Sequence, residues 1–208
     1  MISDLILAVE QADSSDALLE AVEALAEAQS TEAMSTLITV LGYNNPGAAV
    51  AAVDGLIALG EIAVQPLLEQ LDGYNYGARA WAIRALSSIG DPRGLEVLLE
   101  AAETDFSLSV RRAAARGLGS IEWEKMNPEN ITESQIKSLK ILLQATQDPE
   151  WIVRYAAIVG LQGLANTIKT QQPESFEQAI HRLEDAINTD ETLAVQARAK
   201  LAHQSLVK

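Results

Sequence analysis

The sequence predicts an all-α superhelical solenoid of about six helix pairs, and three observations carry that expectation. The first is a recurring signature: an apolar or Ala residue, often followed by Arg, then small residues, then Leu eight positions on, as in Val110-Arg-Arg-Ala-Ala-Ala-Arg-Gly-Leu118 and Val153-Arg-Tyr-Ala-Ala-Ile-Val-Gly-Leu161. The recurring Leu falls at Leu25, Leu56, Leu86, Leu118, Leu161 and Leu201, with spacings of 31, 30, 32, 43 and 40 residues. Spacings of this size fit helix-pair repeats of roughly 30 to 47 residues. The second is a set of amphipathic runs between the signatures, whose apolar residues recur at three- and four-residue steps and so share one helical face. Ile62-Ala-Val-Gln-Pro-Leu-Leu-Glu-Gln-Leu71 and Gln135-Ile-Lys-Ser-Leu-Lys-Ile-Leu-Leu143 are examples. The third is that no stretch alternates apolar and polar residues in the two-residue period of a strand.

The elements follow in order. Residues 1–30 form a capping pair, whose second helix is acidic and lacks the repeat Arg. The second pair enters its second helix through Gly42-Tyr-Asn-Asn-Pro-Gly-Ala48, and the third through the similar Gly73-Tyr-Asn-Tyr-Gly-Ala78. The third and fourth pairs carry most of the Arg residues at repeat positions. Asp91-Pro92 and Asp148-Pro149 mark helix ends, because Asp caps a helix start and Pro fits the first turn, where its missing N–H is not needed. Gly117-Leu-Gly119 reads as a helix terminator. An insert over 122–133, with Trp123 packing on it, lengthens the gap before the fifth pair. The last pair, about 173–204, closes the array, so 1–208 reads as one continuous solenoid. Each pair in such an array can bury its apolar face only against its neighbours.

Composition narrows the function. The formal charge is −14, and residues 1–78 contain no Lys or Arg but twelve acidic residues, from Asp4 to Asp72. A first third of this kind repels phosphate, and nonspecific nucleic-acid binding needs a basic footprint, so no nucleic-acid partner is expected. It is either a solubilising surface or a docking surface for a basic partner. No uninterrupted apolar run of membrane-spanning length stands out, and the first residues carry no basic region, so no membrane partner is expected. There is no Cys, which excludes disulfides, Cys-type zinc sites and a covalent thioether on this chain. His181 and His203 are the two histidines, both in the terminal repeat and without metal spacing, and read as surface residues. No glycine-rich phosphate loop and no nucleophile–base set appears, so no metal and no catalytic side chain is assigned.

The repeat signature resembles HEAT-like repeats. A denser match resembles the E/F-type phycobilin lyases of cyanobacteria, most closely their smaller, F-type (beta) subunits. It is carried by Tyr74-Asn-Tyr-Gly-Ala-Arg-Ala80, Ile89-Gly-Asp-Pro-Arg-Gly94 and Ser109-Val-Arg-Arg-Ala-Ala-Ala-Arg-Gly-Leu-Gly119, within residues 73–123. The resemblance implies a cytoplasmic heterodimer with an E-type (alpha) subunit. That dimer attaches phycocyanobilin to a cysteine of the phycocyanin α chain through a thioether. Phycocyanobilin is then a noncovalently bound substrate rather than a cofactor. A related subunit that also isomerises the bilin carries an Asn-His-Cys motif. This chain has no Cys, and neither His follows an Asn, so ligation without isomerisation is implied.

An open-chain tetrapyrrole has two propionates, four pyrrole-type nitrogens and one double bond open to thiol addition. Its binder should offer an apolar or aromatic wall, cations for the carboxylates and a carboxylate for the ring N–H groups. In HEAT-like arrays the second helix of each pair usually lines the concave face. Aligning the repeats by the recurring Leu puts Asp54, Arg84 and Arg116 at one position, and Arg112 and Tyr155 at another, one turn earlier. Trp81 lies one turn before Arg84. The expected row is therefore Asp54, Arg84 beside Trp81, Arg112 and Arg116, then Tyr155, with Tyr74 and Tyr76 as further candidates in the loop before Trp81. Arg84 and Arg116 would take the propionates and Trp81 one pyrrole face. Arg79, Arg111 and Arg154 share a different position, and Asp105 and Asp148 each lie six residues before such an Arg. HEAT-like repeats use this Asp–Arg pairing as a structural ladder, so these three arginines read as scaffold. The alternative from another class is a non-enzymatic HEAT-like scaffold or regulator of phycobilisome assembly or disassembly.

Overall fold

The computed structural model describes residues 1–71 and 76–208, with the side chain of Tyr76 outside that description. Tyr74 therefore lies outside the described residues. Twelve α-helices and no strand are seen among the described residues, as six consecutive pairs. The chain divides into two compact units, Met1–Ile89 and Gly90–Lys208.

The first unit holds α1 (Ile2–Gln11), α2 (Ser15–Glu27), α3 (Met34–Val40), α4 (Pro46–Leu59), α5 (Val64–Gln70) and α6 (Tyr76–Ile89). Ser14 caps α2 by accepting the Ala17 N–H at 3.2 Å. Asn45 does the same for α4, accepting the Ala48 N–H at 3.0 Å, and its amide donates to the Ser15 carbonyl at 3.0 Å. One buried side chain thus starts one helix and ties it to the start of another, which explains the Asn-Asn-Pro-Gly entry seen in the sequence. Val22, Leu25, Leu37, Val53 and Leu56 form the core between α2, α3 and α4. Gly55 lets α2 approach, since a Cβ there would lie 2.8 Å from that of Ala26. The run Pro46–Gln70 is long and apolar enough to span a bilayer by composition, which the sequence reading had not picked out. Gly60, at φ 66°, and a 3₁₀ turn divide it into α4 and α5, and Val53, Leu56, Val64 and Leu67 are core residues.

The second unit holds α7 (Leu95–Thr104), α8 (Leu108–Gly117), α9 (Pro128–Ala145), α10 (Trp151–Ile168), α11 (Pro173–Thr189) and α12 (Leu193–Leu206). The expected insert is shorter than its sequence bounds, because Pro128 starts α9. Its remainder is a 3₁₀ turn, Trp123–Lys125, that buries Trp123 and is tied back by the Glu122 N–H donating to the Gly90 carbonyl at 2.9 Å. Helix α8 ends where Gly117-Leu-Gly119 predicts, but Gly119 serves a close crossing. A Cβ on Gly119 would overlap the Gly160 carbonyl, one on Gly160 the Ala115 carbonyl, and one on Gly163 the Gly119 carbonyl. Only glycine allows this backbone contact between the end of α8 and the middle of α10.

The arginine ladder exists, with a different connectivity from the one expected. Asp105, Asp148 and Asp190 each accept the N–H two residues on, at 2.8, 2.9 and 2.8 Å, and so shape the turn entering α8, α10 and α12. Arg111 and Arg154 reach back to these turns through backbone carbonyls, Nη1 donating to Asp105 O at 2.9 Å and to Asp148 O at 3.0 Å. The charge pairing runs forward to the next pair: Arg111 Nε to Asp148 Oδ2 at 2.7 Å, and Arg154 Nε to Asp190 Oδ2 at 2.8 Å. At the end, Gln196 takes the arginine's place and donates to the Asp190 carbonyl at 2.6 Å. This register also corrects the last recurring Leu. Counting from Asp190 puts Leu201 at the position of Arg116 and Val159, and it is 60% exposed, while Val195, Ala199 and Leu206 fill the core.

Arg154 and Asp190 are both buried. Burial pushes the Asp190 carboxyl up, but hydrogen bonds from Arg154 and the Thr192 amide, with the guanidinium charge, outweigh it and hold it below the usual carboxylate range. A depressed folded value means that the pair stabilises fully above the unfolded carboxylate value of about 3.9 and is lost as pH falls through the folded one. Arg154→Ala is expected to lower the unfolding free energy by about 3 kcal/mol at neutral pH, because Asp190 is left buried without its cation. The deficit relative to wild type should shrink below about pH 4, where Asp190 protonates. Urea unfolding of both proteins across pH 3–7 checks this, and a pH-independent difference would contradict the pairing.

Candidate functional site

On α8, Val110, Ala114 and Ala115 face the core, which turns Arg112 and Arg116, one helical turn apart, outward together. On α10, Val153, Ala157 and Ile158 face the core, and Trp151 and Tyr155, again four residues apart, stand 46% and 37% exposed. The two faces flank a groove of about 480 Å³, lined by Arg112, Ala113 and Arg116 from α8, by Trp151, Ile152, Tyr155, Ala156 and Val159 from α10, and by Ala194 from α12. Its volume lies in the range of small-molecule sites, roughly 300–1,000 Å³. The lining combines two guanidiniums, two aromatic rings and an apolar floor, and holds no acidic side chain. Such a surface suits a flat, largely apolar molecule that carries carboxylates.

The other predicted site residues lie in the first unit. Asp54 lines a groove of about 610 Å³ between α2 and α4 together with Glu23 and Glu27, so its surroundings are acidic rather than mixed. Trp81 and Arg84 are half-buried neighbours on α6, with the guanidinium carbon 5.5 Å from the indole centroid, a cation–π contact. Arg79 holds the ladder position on the same helix. The structure thus brings Arg112, Arg116 and Tyr155 together around one groove in the second unit, and pairs Trp81 with Arg84 in the first. His181 is exposed as expected, while His203 is half-buried, and both approach Glu184, at 3.4 and 3.2 Å. Among the described residues no group of three His, Asp or Glu is placed to hold a metal ion.

Sequence reasoning missed Trp151. Its signal was the four-residue step to Tyr155, which puts both on one helical face.

These features define a helix-repeat protein with a cationic, aromatic-walled groove, and the model of HEAT repeats matches residues 2–87 and 64–161. The chain belongs to the phycocyanobilin lyase beta-subunit family. It is 52% identical over 204 residues to the phycocyanobilin lyase subunit beta of Nostoc sp. strain PCC 7120, covering 97% of this chain and 98% of the relative. It is 58% identical over 164 residues to the phycocyanin alpha phycocyanobilin lyase CpcF of Synechocystis sp. strain PCC 6803, covering 79% of this chain and 77% of the relative. Among solved structures it superposes on a chain from the complex of CpcE and CpcF of the Nostoc phycocyanin lyase, with a TM-score of 0.74 and 51% identity, covering 83% of this chain and 99% of that one.

Proposed function

We propose that this chain is the beta-type subunit of a heterodimeric, cytoplasmic phycobilin lyase. It binds phycocyanobilin without a covalent bond and promotes thioether attachment of the bilin to a cysteine of the phycocyanin α chain. The observation that carries this reading is the groove in which Arg112 and Arg116 face Trp151 and Tyr155, in a chain of this family. The guanidiniums suit the propionates through charge-assisted, bidentate contacts, and the rings suit the pyrrole faces. Trp81, Arg84 and Asp54, with Tyr74 and Tyr76, remain further candidate contacts for the bilin or for the partner subunit.

The bond-forming step adds the acceptor's thiol across the reactive double bond. Sulfur takes one carbon and the thiol proton ends on the other, so no atom leaves and no redox partner is required. The acceptor protein supplies the thiol, because this chain has no Cys. What remains for the lyase is to hold bilin and thiol in register. Orientation of this kind replaces a bimolecular encounter and lowers the barrier substantially. Enclosure also shields the reactive bilin from competing addition. The E-type partner is supported by the complex in which the related chain was solved.

Co-expression of this chain with the E-type subunit, the α apoprotein and a bilin source tests the reading. The expected result is bilin fluorescence on the α chain after a denaturing gel, and none on this chain. Bilin binding without transfer to the α chain would favour the non-enzymatic scaffold. Bilin that stays on this chain through the gel would contradict noncovalent binding.

A further inference from the structure

Asp105, Asp148 and Asp190 shape the same turn three times, so places counted from them are equivalent on α8, α10 and α12. Three, seven and eleven residues after the aspartate, α10 carries Trp151, Tyr155 and Val159, and all three line the groove. Helix α8 carries Leu108, Arg112 and Arg116 there, and both arginines line it. Helix α12 carries Leu193, Ala197 and Leu201. The groove-facing surface thus runs from cationic on α8, through aromatic on α10, to aliphatic on α12. On α12 this face is open: Leu193 is 78% exposed, Leu201 60%, and Ala194 and Ala197 are exposed with them. The helix packs on α10 and α11 through its opposite side, with Val195, Ala199, Ala202 and Leu206. Leu193, Ala197 and Leu201 follow one another at four-residue steps and so form one row, bordered by Lys200 and Gln204. Single exposed leucines need no explanation, but a contiguous apolar row beside a ligand groove marks an interaction surface.

The polarity of this surface sets a direction for the ligand. A bilin carries its propionates on the two middle rings and its thiol-reactive double bond on an end ring that bears no carboxylate. With the propionates drawn to Arg112 and Arg116, the tetrapyrrole crosses the rings of α10 and its reactive end comes to rest toward α12, where Ala194 closes the groove. The thiol must therefore arrive over α12. We infer that the aliphatic row of α12 is the docking surface for the acceptor, the phycocyanin α chain, which lays an apolar segment beside its cysteine on Leu193 and Leu201. This rests on the reading of the groove as the bilin site. Continuity selects the occupant. The row meets the groove at Ala194, so whatever sits on the row stands at the reactive end of the bilin. The thiol donor has to reach that place in every turnover, and a constant partner such as the E-type subunit would obstruct it there.

The test uses the complex of this chain with its E-type subunit, supplied with phycocyanobilin, and measures transfer against increasing α apoprotein. Leu193→Glu and Leu201→Glu are each expected to raise KM for the apoprotein by about ten- to a hundredfold. The rate at saturating apoprotein should stay within about twofold of wild type, and so should bilin binding read by absorbance. Leu193→Met and Leu201→Met keep the apolar surface and should transfer as wild type does. If a Glu variant melts early, Leu193→Ser and Leu201→Ser, which remove the apolar surface without adding charge, decide the matter. An unchanged KM in both Glu variants would overturn the inference. So would a matching loss of bilin affinity, which would seat the bilin itself on the row, or a loss of the E-type subunit on size exclusion, which would make the row that subunit's interface. If Arg112→Ala and Arg116→Ala leave bilin binding intact while the Glu variants still raise KM, the acceptor surface stands and the reading of the groove falls.

Discussion

Replacing Gly160 with valine is expected to lower the unfolding free energy by about 4 kcal/mol or more, the largest stability effect foreseen for a single change in this chain. A Cβ at this position would overlap the Ala115 carbonyl and lie 2.8 Å from Leu142 Cδ2. The leucine end can rotate away. The carbonyl cannot move without shifting α8, because Gly119 and Gly163 lock the same crossing from either side. Each 1 kcal/mol shifts the melting temperature of a domain this size by about 2–4 °C, so a drop on the order of 10 °C is expected. Gly47→Ala is the control, since a Cβ there would meet Leu19 Cδ2 at an ordinary 3.4 Å. That change should stay within about 1 kcal/mol of wild type. A valine variant that melts with wild type would mean that the α8–α10 crossing yields more easily than backbone contact allows. Gly160 also lies next to Val159 and one turn from Ala156, both in the groove wall, so a shifted crossing should disturb the ligand site as well.

Removing both Arg112 and Arg116 by alanine substitution should reduce transfer of bilin to the phycocyanin α chain by about a hundredfold or more. Charge-assisted contacts contribute roughly 1.5–3 kcal/mol each, and ~1.4 kcal/mol is a factor of ten. The two guanidiniums share one ligand, so their losses should not simply add. Both side chains are exposed and outside the ladder, which predicts an unchanged melting temperature. Initial rates of α-chain labelling, with the E-type subunit in excess, measure the effect. Undiminished transfer would move the bilin site off this groove, either to the Trp81–Arg84 pair or onto the partner subunit.

The fold was legible because a repeat states its period many times. Leu25, Leu56, Leu86, Leu118 and Leu161 are all buried, as the recurring pattern requires. The last unit escaped because its ladder residue is Gln196, so the Arg that would have set the register is missing and Leu201 was taken for a core position two residues early. The ladder arginines were recognisable by position. Their direction was not, since pairing with a local aspartate and pairing with the next repeat's aspartate leave the same spacing in sequence. For the groove, two guanidiniums at a four-residue step on α8 and Tyr155 on α10 were readable as one face each. Trp151 opens α10 rather than standing inside the signature, so alignment on the recurring positions passed over it. Asp54 shows the opposite failure. The alignment placed it among cations, but Glu23 and Glu27 beside it come from the neighbouring helix α2, which the alignment did not consider.

The forward pairing of Arg111 with Asp148 and of Arg154 with Asp190 gives the second unit a direction in time. Each bond joins residues 37 and 36 positions apart, always with the arginine first. A chain leaving the ribosome presents the guanidinium long before its acceptor. The Arg111 and Arg154 guanidiniums therefore emerge with their charge unpaired and meet a carboxylate only when the entrance of the following pair has been synthesised. The last ladder position carries Gln196, a neutral side chain satisfied by its own turn through the Asp190 carbonyl, so it calls for no later carboxylate.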